Sequence, residues 1–150
     1  MTKPEAAVAT FKQGFNCSQA VLSAYAEPLC LERTTALRLA AGFGGGLGRL
    51  GETCGAVTGA LMVLGLKHGS PGADDQSPQE RMAERERVYQ GVQAFITRFQ
   101  ARHGSVVCRE LLGCDIRTPA GYEQAKERQL FLTRCPKFVQ SAAEILEDLP

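Results

Sequence analysis

Apolar residues recur at spacings of three and four along almost the whole chain, and no apolar–polar alternation runs long enough to form a strand. That pattern commits the chain to helices, because only a 3.6-residue repeat gathers such positions on one face. Pro4, at a first-turn position, opens a segment with Val8, Phe11 and Phe15 on one face, interrupted at Gly14 and Asn16. Cys17 to Ala26 forms a second helix with Ala20, Val21 and Ala24 inward. Thr34 to Ala41 forms a third and runs into Gly42-Phe43-Gly44-Gly45-Gly46-Leu47-Gly48. From Thr53 to Lys67 the chain is apolar nearly all round, which marks a central helix.

Residues 69–78 (GSPGADDQSP) form the one linker-like stretch, an internal loop. Gln79 to His103 is the longest amphipathic helix, with Met82, Val88, Tyr89, Val92, Phe95, Ile96 and Phe99 on its apolar side. Shorter helices follow at Ser105 to Leu112 and Pro119 to Phe131. The last helix, Pro136 to Leu149, turns Phe138, Val139, Ala142, Leu146 and Leu149 inward. A chain of 150 residues supports one core and not two full-sized ones. The expectation is an all-α, single-domain helical bundle of six to eight helices spanning residues 1–150.

Charge narrows the function classes. Seventeen Lys and Arg against sixteen Asp and Glu leave a net charge of +1, so no global electrostatic case exists for nucleic acid or an anionic membrane. On the long helix Glu80, Arg81, Glu84, Arg85, Glu86 and Arg87 cancel one another and suit i,i+4 pairing. The longest apolar stretch, Cys54 to Leu66, is too short to span a bilayer, and the first eight residues hold no apolar signal core. The expected setting is therefore cytoplasmic, where cysteines serve redox chemistry or metal binding more often than structural bridging.

The six cysteines divide by position. Cys17 follows Asn16, and Cys54 follows Thr53, both good N-cap residues. Cys108 lies in the first turn after Ser105, and Cys135 precedes Pro136, which places it at an N-cap. Unpaired amides and the positive end of the dipole at helix starts favour thiolate, the form that attacks disulfides and binds metal. Cys30 falls in a connection and Cys114 after Gly113, at the unfavourable end of a helix. No C-x-x-C occurs, so thioredoxin-type, zinc-ribbon and ferredoxin patterns are absent, as is the C-x-x-C-H of haem attachment. Any joint site must be assembled by the tertiary fold.

Gly46-Leu47-Gly48-Arg49-Leu50-Gly51 matches G-x-G-x-x-G, but helical sequence precedes it and no acid stands at the required distance on a second strand. The glycines read instead as a loop that lets backbone amides approach Cys54, with Gly45, Gly46, Gly48 and Gly55 as candidates to hold a cofactor or anion. Gly55 and Gly59 also mark a close approach between helices. His68 and His103 read as cations at helix C-termini rather than metal ligands. Arg49 and Arg109 lie near Cys54 and Cys108 in sequence and are candidates to influence a thiolate.

The blocks Phe15-Asn16-Cys17-Ser18-Gln19-Ala20-Val21, Gly42-Phe43-Gly44-Gly45-Gly46, Gly51 to Gly59, Cys108 to Gly113 and Cys135-Pro136 resemble the C_GCAxxG_C_C family of redox-active proteins. The resemblance runs from Asn16 to Val139, and its named cysteines fall on Cys17, Cys54, Cys108 and Cys135. The family's Gly-Cys-Ala order stands here as Cys54-Gly55-Ala56. That family is itself similar to part of the split-Soret cytochromes, which carry haem and an iron–sulfur site. Without a haem motif here, that likeness implies only a cluster.

The resulting expectation is a redox-active protein, an oxidoreductase if catalytic, in which these four cysteines converge for thiol–disulfide exchange or electron transfer. An iron–sulfur cluster or Zn²⁺ on the same four is the alternative, and a helical interaction module with buried thiols is a third reading. A redox partner is implied, and a homodimer would suit apolar helices in so small a chain. Neither nucleic acid nor membrane is expected.

Overall fold

A computed structural model describes all residues, 1–150. Ten α-helical segments follow one another: α1 (Lys3–Lys12), α2 (Cys17–Ala26), α3 (Arg33–Ala40), α4 (Gly44–Leu47), α5 (Gly55–His68), α6 (Pro78–His103), α7 (Cys108–Leu112), α8 (Pro119–Glu127), α9 (Leu130–Thr133) and α10 (Cys135–Asp148). Two of them, α4 and α9, are single turns of four residues, which leaves eight longer helices in an all-α fold. There is no strand; one isolated antiparallel bridge joins Thr53 to Val107. No helix is long and apolar enough to cross a membrane.

Local chemistry explains the starts. Thr2 and Asn16 each form a reciprocal capping box, with Glu5 and Gln19. Ser77 accepts from the Glu80 N–H at 3.1 Å and opens α6, and Thr118 accepts from the Gly121 N–H at 3.0 Å and opens α8. Proline occupies the first turn of α1, α6, α8 and α10, where its missing donor costs nothing.

Helix α2 is the hub, touching α1, α3, α5 and α10. Its approach to α5 is close because Gly59 has no side chain: a Cβ there would stand 2.7 Å from the Ser18 carbonyl oxygen. The apolar α5 buries Ala56, Val57, Ala60, Val63 and Leu64 against this hub, while its last turn, Leu66 and Lys67, is exposed. On α10 the expected face is the observed one, with Phe138, Val139, Ala142, Leu146 and Leu149 all buried.

Three expectations change. Met82 and Tyr89 are 62% and 51% exposed, and on α6 only Phe95 and Phe99 are buried. The reason is length: α6 has 26 residues and its neighbour α5 has 14, so the first turns of α6 have little to pack on. The helix expected from Pro119 to Phe131 breaks at Gln129, which is left-handed at φ 56°. His103 is not a capping cation: it lies between Phe99 and Phe138, with ring centroids at 4.8 and 5.0 Å, and burial pushes its pKa down. His68 does end α5 as expected, but Gly69 after it is extended rather than left-handed.

Candidate functional site

Each of the four cysteines sits at a helix start, with small shifts from the expected positions. Cys17 is the first residue of α2, held there by the Asn16 cap. Cys54 is itself the N-cap of α5, Cys108 is the first residue of α7 after Val107, and Cys135 is the first residue of α10. Asn16 also fixes its helix to the glycine segment, since its side-chain amide donates to the Ala41 carbonyl at 3.0 Å.

Cys54 and Cys108 are aligned by a short antiparallel zipper between two loops. The Cys54 N–H donates to the Val106 carbonyl at 2.8 Å, and the Cys108 N–H donates to the Glu52 carbonyl at 2.6 Å. The Arg109 N–H continues the pattern to the Gly51 carbonyl at 3.1 Å. The Arg109 side chain caps the zipper, bonding Glu52 at 2.9 Å and the Gly51 carbonyl at 3.2 Å.

The glycine run makes this assembly fit. Gly45, Gly46, Leu47, Gly48 and Arg49 are five consecutive residues at positive φ, between 59° and 68°. Residues with a side chain pay about 1–2 kcal/mol each in that conformation, so glycine fills most of the turn. Gly46 is required for a second reason: a Cβ would lie 2.6 Å from both the Cys108 Cβ and the Glu52 N. Gly46 therefore packs against Cys108, and the amides that act on Cys54 are those of Ala56 and Val57 rather than of the glycine run. The G-x-G-x-x-G match has no strand before it; α3 and a 3₁₀ turn (Ala41–Phe43) lead into it. Gly55, at the start of α5, lets Cys17 come near, with its missing Cβ 3.1 Å from the Cys17 Cβ.

All four cysteines line one cavity of about 670 Å³, together with Gly45, Gly46, Gly48 and Gly55. Phe11, Leu111, Phe131 and Phe138 give it apolar walls, and Arg49 and Tyr122 also line it. Arg49 does not reach a thiolate; its guanidinium lies over the Tyr122 ring, 4.5 Å from the centroid. Tyr122 and Phe131 carried no signal in the sequence, because nothing local ties the α8–α9 segment to the cysteines. The other two cysteines stand apart from the cavity lining. Cys30 is exposed on a left-handed connection, and Cys114 is buried with the Arg128 guanidinium 3.6 Å from its sulfur.

The electrostatics overturn one expectation. Helix-start amides do act on Cys54, since the N–H groups of Ala56 and Val57 lower its pKa, but burial outweighs them and pushes it up to about 12. Burial likewise pushes Cys108 up to about 11, against the pull of Arg109. Cys17 is raised by the neighbouring Cys135 thiol, then by burial, and Cys135 is lowered by the neighbouring Cys17 thiol. Cys135 is thus the most acidic of the four thiols. All six cysteines are free, and no group of three or more His, Cys, Asp or Glu side chains is arranged to hold a metal ion.

A family model described as "Putative redox-active protein (C_GCAxxG_C_C)" matches residues 15–149, so the chain belongs to that family. No curated protein and no solved structure matches it.

Proposed function

We propose that this member of the C_GCAxxG_C_C family carries out two-electron thiol–disulfide exchange through Cys17 and Cys135. The observation that carries this reading is the pair itself: the thiols at the first residues of α2 and α10, with Cys17 packed against the apolar cluster that holds Cys135 and both in the lining of one cavity. The Cys135 thiolate attacks one sulfur of a substrate disulfide, forming a mixed disulfide and expelling the other sulfur as a thiolate, which takes up a proton. Cys17, once deprotonated, attacks the Cys135 sulfur, forming the protein disulfide and releasing the second substrate thiol. Two electrons pass from the protein dithiol to the substrate, and the reverse sequence oxidises a substrate dithiol.

Cys54 and Cys108 are placed to remain thiols through this cycle, because burial holds both well above neutral pH. They give the pair a non-reactive floor. Iron–sulfur or zinc binding on the same four residues has less support, as no ligand group is preassembled.

Equilibration of the protein in graded dithiothreitol buffers, followed by peptide mapping, tests the proposal. A reversible Cys17–Cys135 disulfide, abolished by Cys17→Ser and by Cys135→Ser, is the expected result. Absence of that disulfide, or stoichiometric zinc or a charge-transfer band after anaerobic purification, would overturn it.

A further inference from the structure

The cavity holding the cysteines carries one permanent charge. Among its lining residues Arg49 is the only acidic or basic side chain besides the thiols and Tyr122. The arginines around it are all engaged: Arg109 with Glu52, Arg117 with Asp115 at 2.8 Å, Arg134 with the Leu111 and Leu112 carbonyls, and Arg128 with the Cys114 sulfur. Arg49 is in no ion pair and donates no side-chain hydrogen bond to the protein. Its guanidinium carbon lies 4.5 Å from the Tyr122 ring centroid, and none of its N–H donors is taken by the protein.

The backbone is shaped around this side chain. Arg49 stands at φ 68°, a conformation that costs a residue with a Cβ about 1–2 kcal/mol. A Cβ on Gly45 would come within 3.0 Å of the Arg49 Cγ, so that glycine makes the space in which the arginine lies. Arg49 is exposed while also lining the cavity, so its guanidinium is open to an anion that enters from solvent. The cavity volume, about 670 Å³, falls within the ~300–1,000 Å³ of small-molecule sites.

We propose that the site takes a low-molecular-mass disulfide bearing a carboxylate, with the carboxylate on Arg49, the methylene stem against Phe11 and Phe131, and the disulfide directed to Cys135. This rests on the thiol-exchange reading above and names its substrate class. The reaction balances as already given: the reduced protein and the disulfide yield the Cys17–Cys135 disulfide and two carboxylated thiols.

The test compares two symmetric disulfides, 3,3′-dithiodipropionate and cystamine, as oxidants of the reduced protein, each rate divided by that with free dithiothreitol. The dicarboxylate is expected to react faster by about tenfold, the factor a single charge-assisted hydrogen bond supplies. Arg49→Gln should remove that preference, Arg49→Lys should keep part of it, and added salt should shrink it. Suberate, which copies the dicarboxylate with two carbons in place of the sulfurs, is titrated by calorimetry in parallel. It should bind the wild type and bind Arg49→Gln about tenfold more weakly, while hexane-1,6-diamine binds neither. Circular dichroism melts confirm that each variant folds. Equal rates with both disulfides, unchanged by Arg49→Gln, would overturn this inference and leave thiol exchange standing. Arg49-dependent suberate binding without any disulfide exchange would instead support the anion site and remove the exchange reading.

Discussion

Cys17 and Cys135, the first residues of α2 and α10, pack together in the lining of one cavity and shift each other's acidity in opposite directions. The effect is asymmetric, raising Cys17 and lowering Cys135. Proximity and a difference in acidity are the two things a dithiol needs to divide into an attacking and a resolving sulfur.

Cys135 should therefore be alkylated by iodoacetamide at lower pH than an ordinary cysteine, and before the other cavity cysteines. If Cys17 lowers Cys135 as a hydrogen-bond donor, Cys17→Ala should move the Cys135 profile to higher pH. Cys17→Ser, which keeps a hydroxyl donor, should restore part of the difference. Rates followed peptide by peptide with mass spectrometry would show this; identical Cys135 profiles in all three proteins would refute the donor role.

Alkaline pH should destabilise the fold. Burial sets Cys54 at about 12 and Cys108 at about 11, above the ordinary value of 9.0. Since the folded pKa is the raised one, their contribution is complete below about 9 and is lost as pH rises from there towards 11–12. Each group contributes a slope of up to about 1.4 kcal/mol per pH unit in that window. Cys135 has the opposite sign: its contribution is present above the ordinary value and lost as pH falls through its lowered pKa. Urea midpoints in reducing buffer at neutral and alkaline pH measure the net effect, and Cys54→Ala should flatten the alkaline slope.

Gly46→Ala and Gly48→Ala should differ although both residues have positive φ. At Gly48 the nearest atom to an added Cβ is 3.9 Å away, so only backbone strain of about 1 kcal/mol is expected. At Gly46 the added atom meets Cys108 and the Glu52 amide, which adds an overpacking cost of about 1–3 kcal/mol. Denaturant unfolding compares the two, and Gly46→Ala should also speed Cys108 alkylation by loosening the zipper.

Asn16→Ala removes the cap on the Gln19 N–H and the tie to the Ala41 carbonyl, while the Asn16 N–H can still donate to the Gln19 side chain. A loss of about 1–2 kcal/mol is expected. Because Cys17 is the next residue, the same substitution should move the Cys135 alkylation profile towards that of Cys17→Ala. A stability loss with no change in that profile would separate the cap from the thiol pair.

How much of this was legible beforehand follows the range of each interaction. The capping signal of Asn16 and the inward face of α10 are local, and they appear where the sequence places them; Pro136 falls one position later than expected, as the second residue of α10. Met82 and Tyr89 share the helical period of Phe95 and Phe99, yet the period says nothing about where a neighbouring helix ends. The expected thiolates at four helix starts rested on the dipole alone. Burial, which only packing creates, reversed the sign at Cys54 and Cys108 and left a neighbouring thiol to set it at Cys135.

The order of residues determined the helices, their starts and which cysteines stand at them, because those properties are settled within a turn of backbone. Which sulfurs face one another was decided by the fold. The Thr53–Val107 bridge, the left-handed turn from Gly45 to Arg49 and the crossing at Gly59 bring distant segments together; the glycines mark where a close approach occurs, but no local pattern encodes which segments meet there. The same long-range packing leaves Arg49 unpaired on Tyr122, and so decides what charge the cavity offers to a ligand.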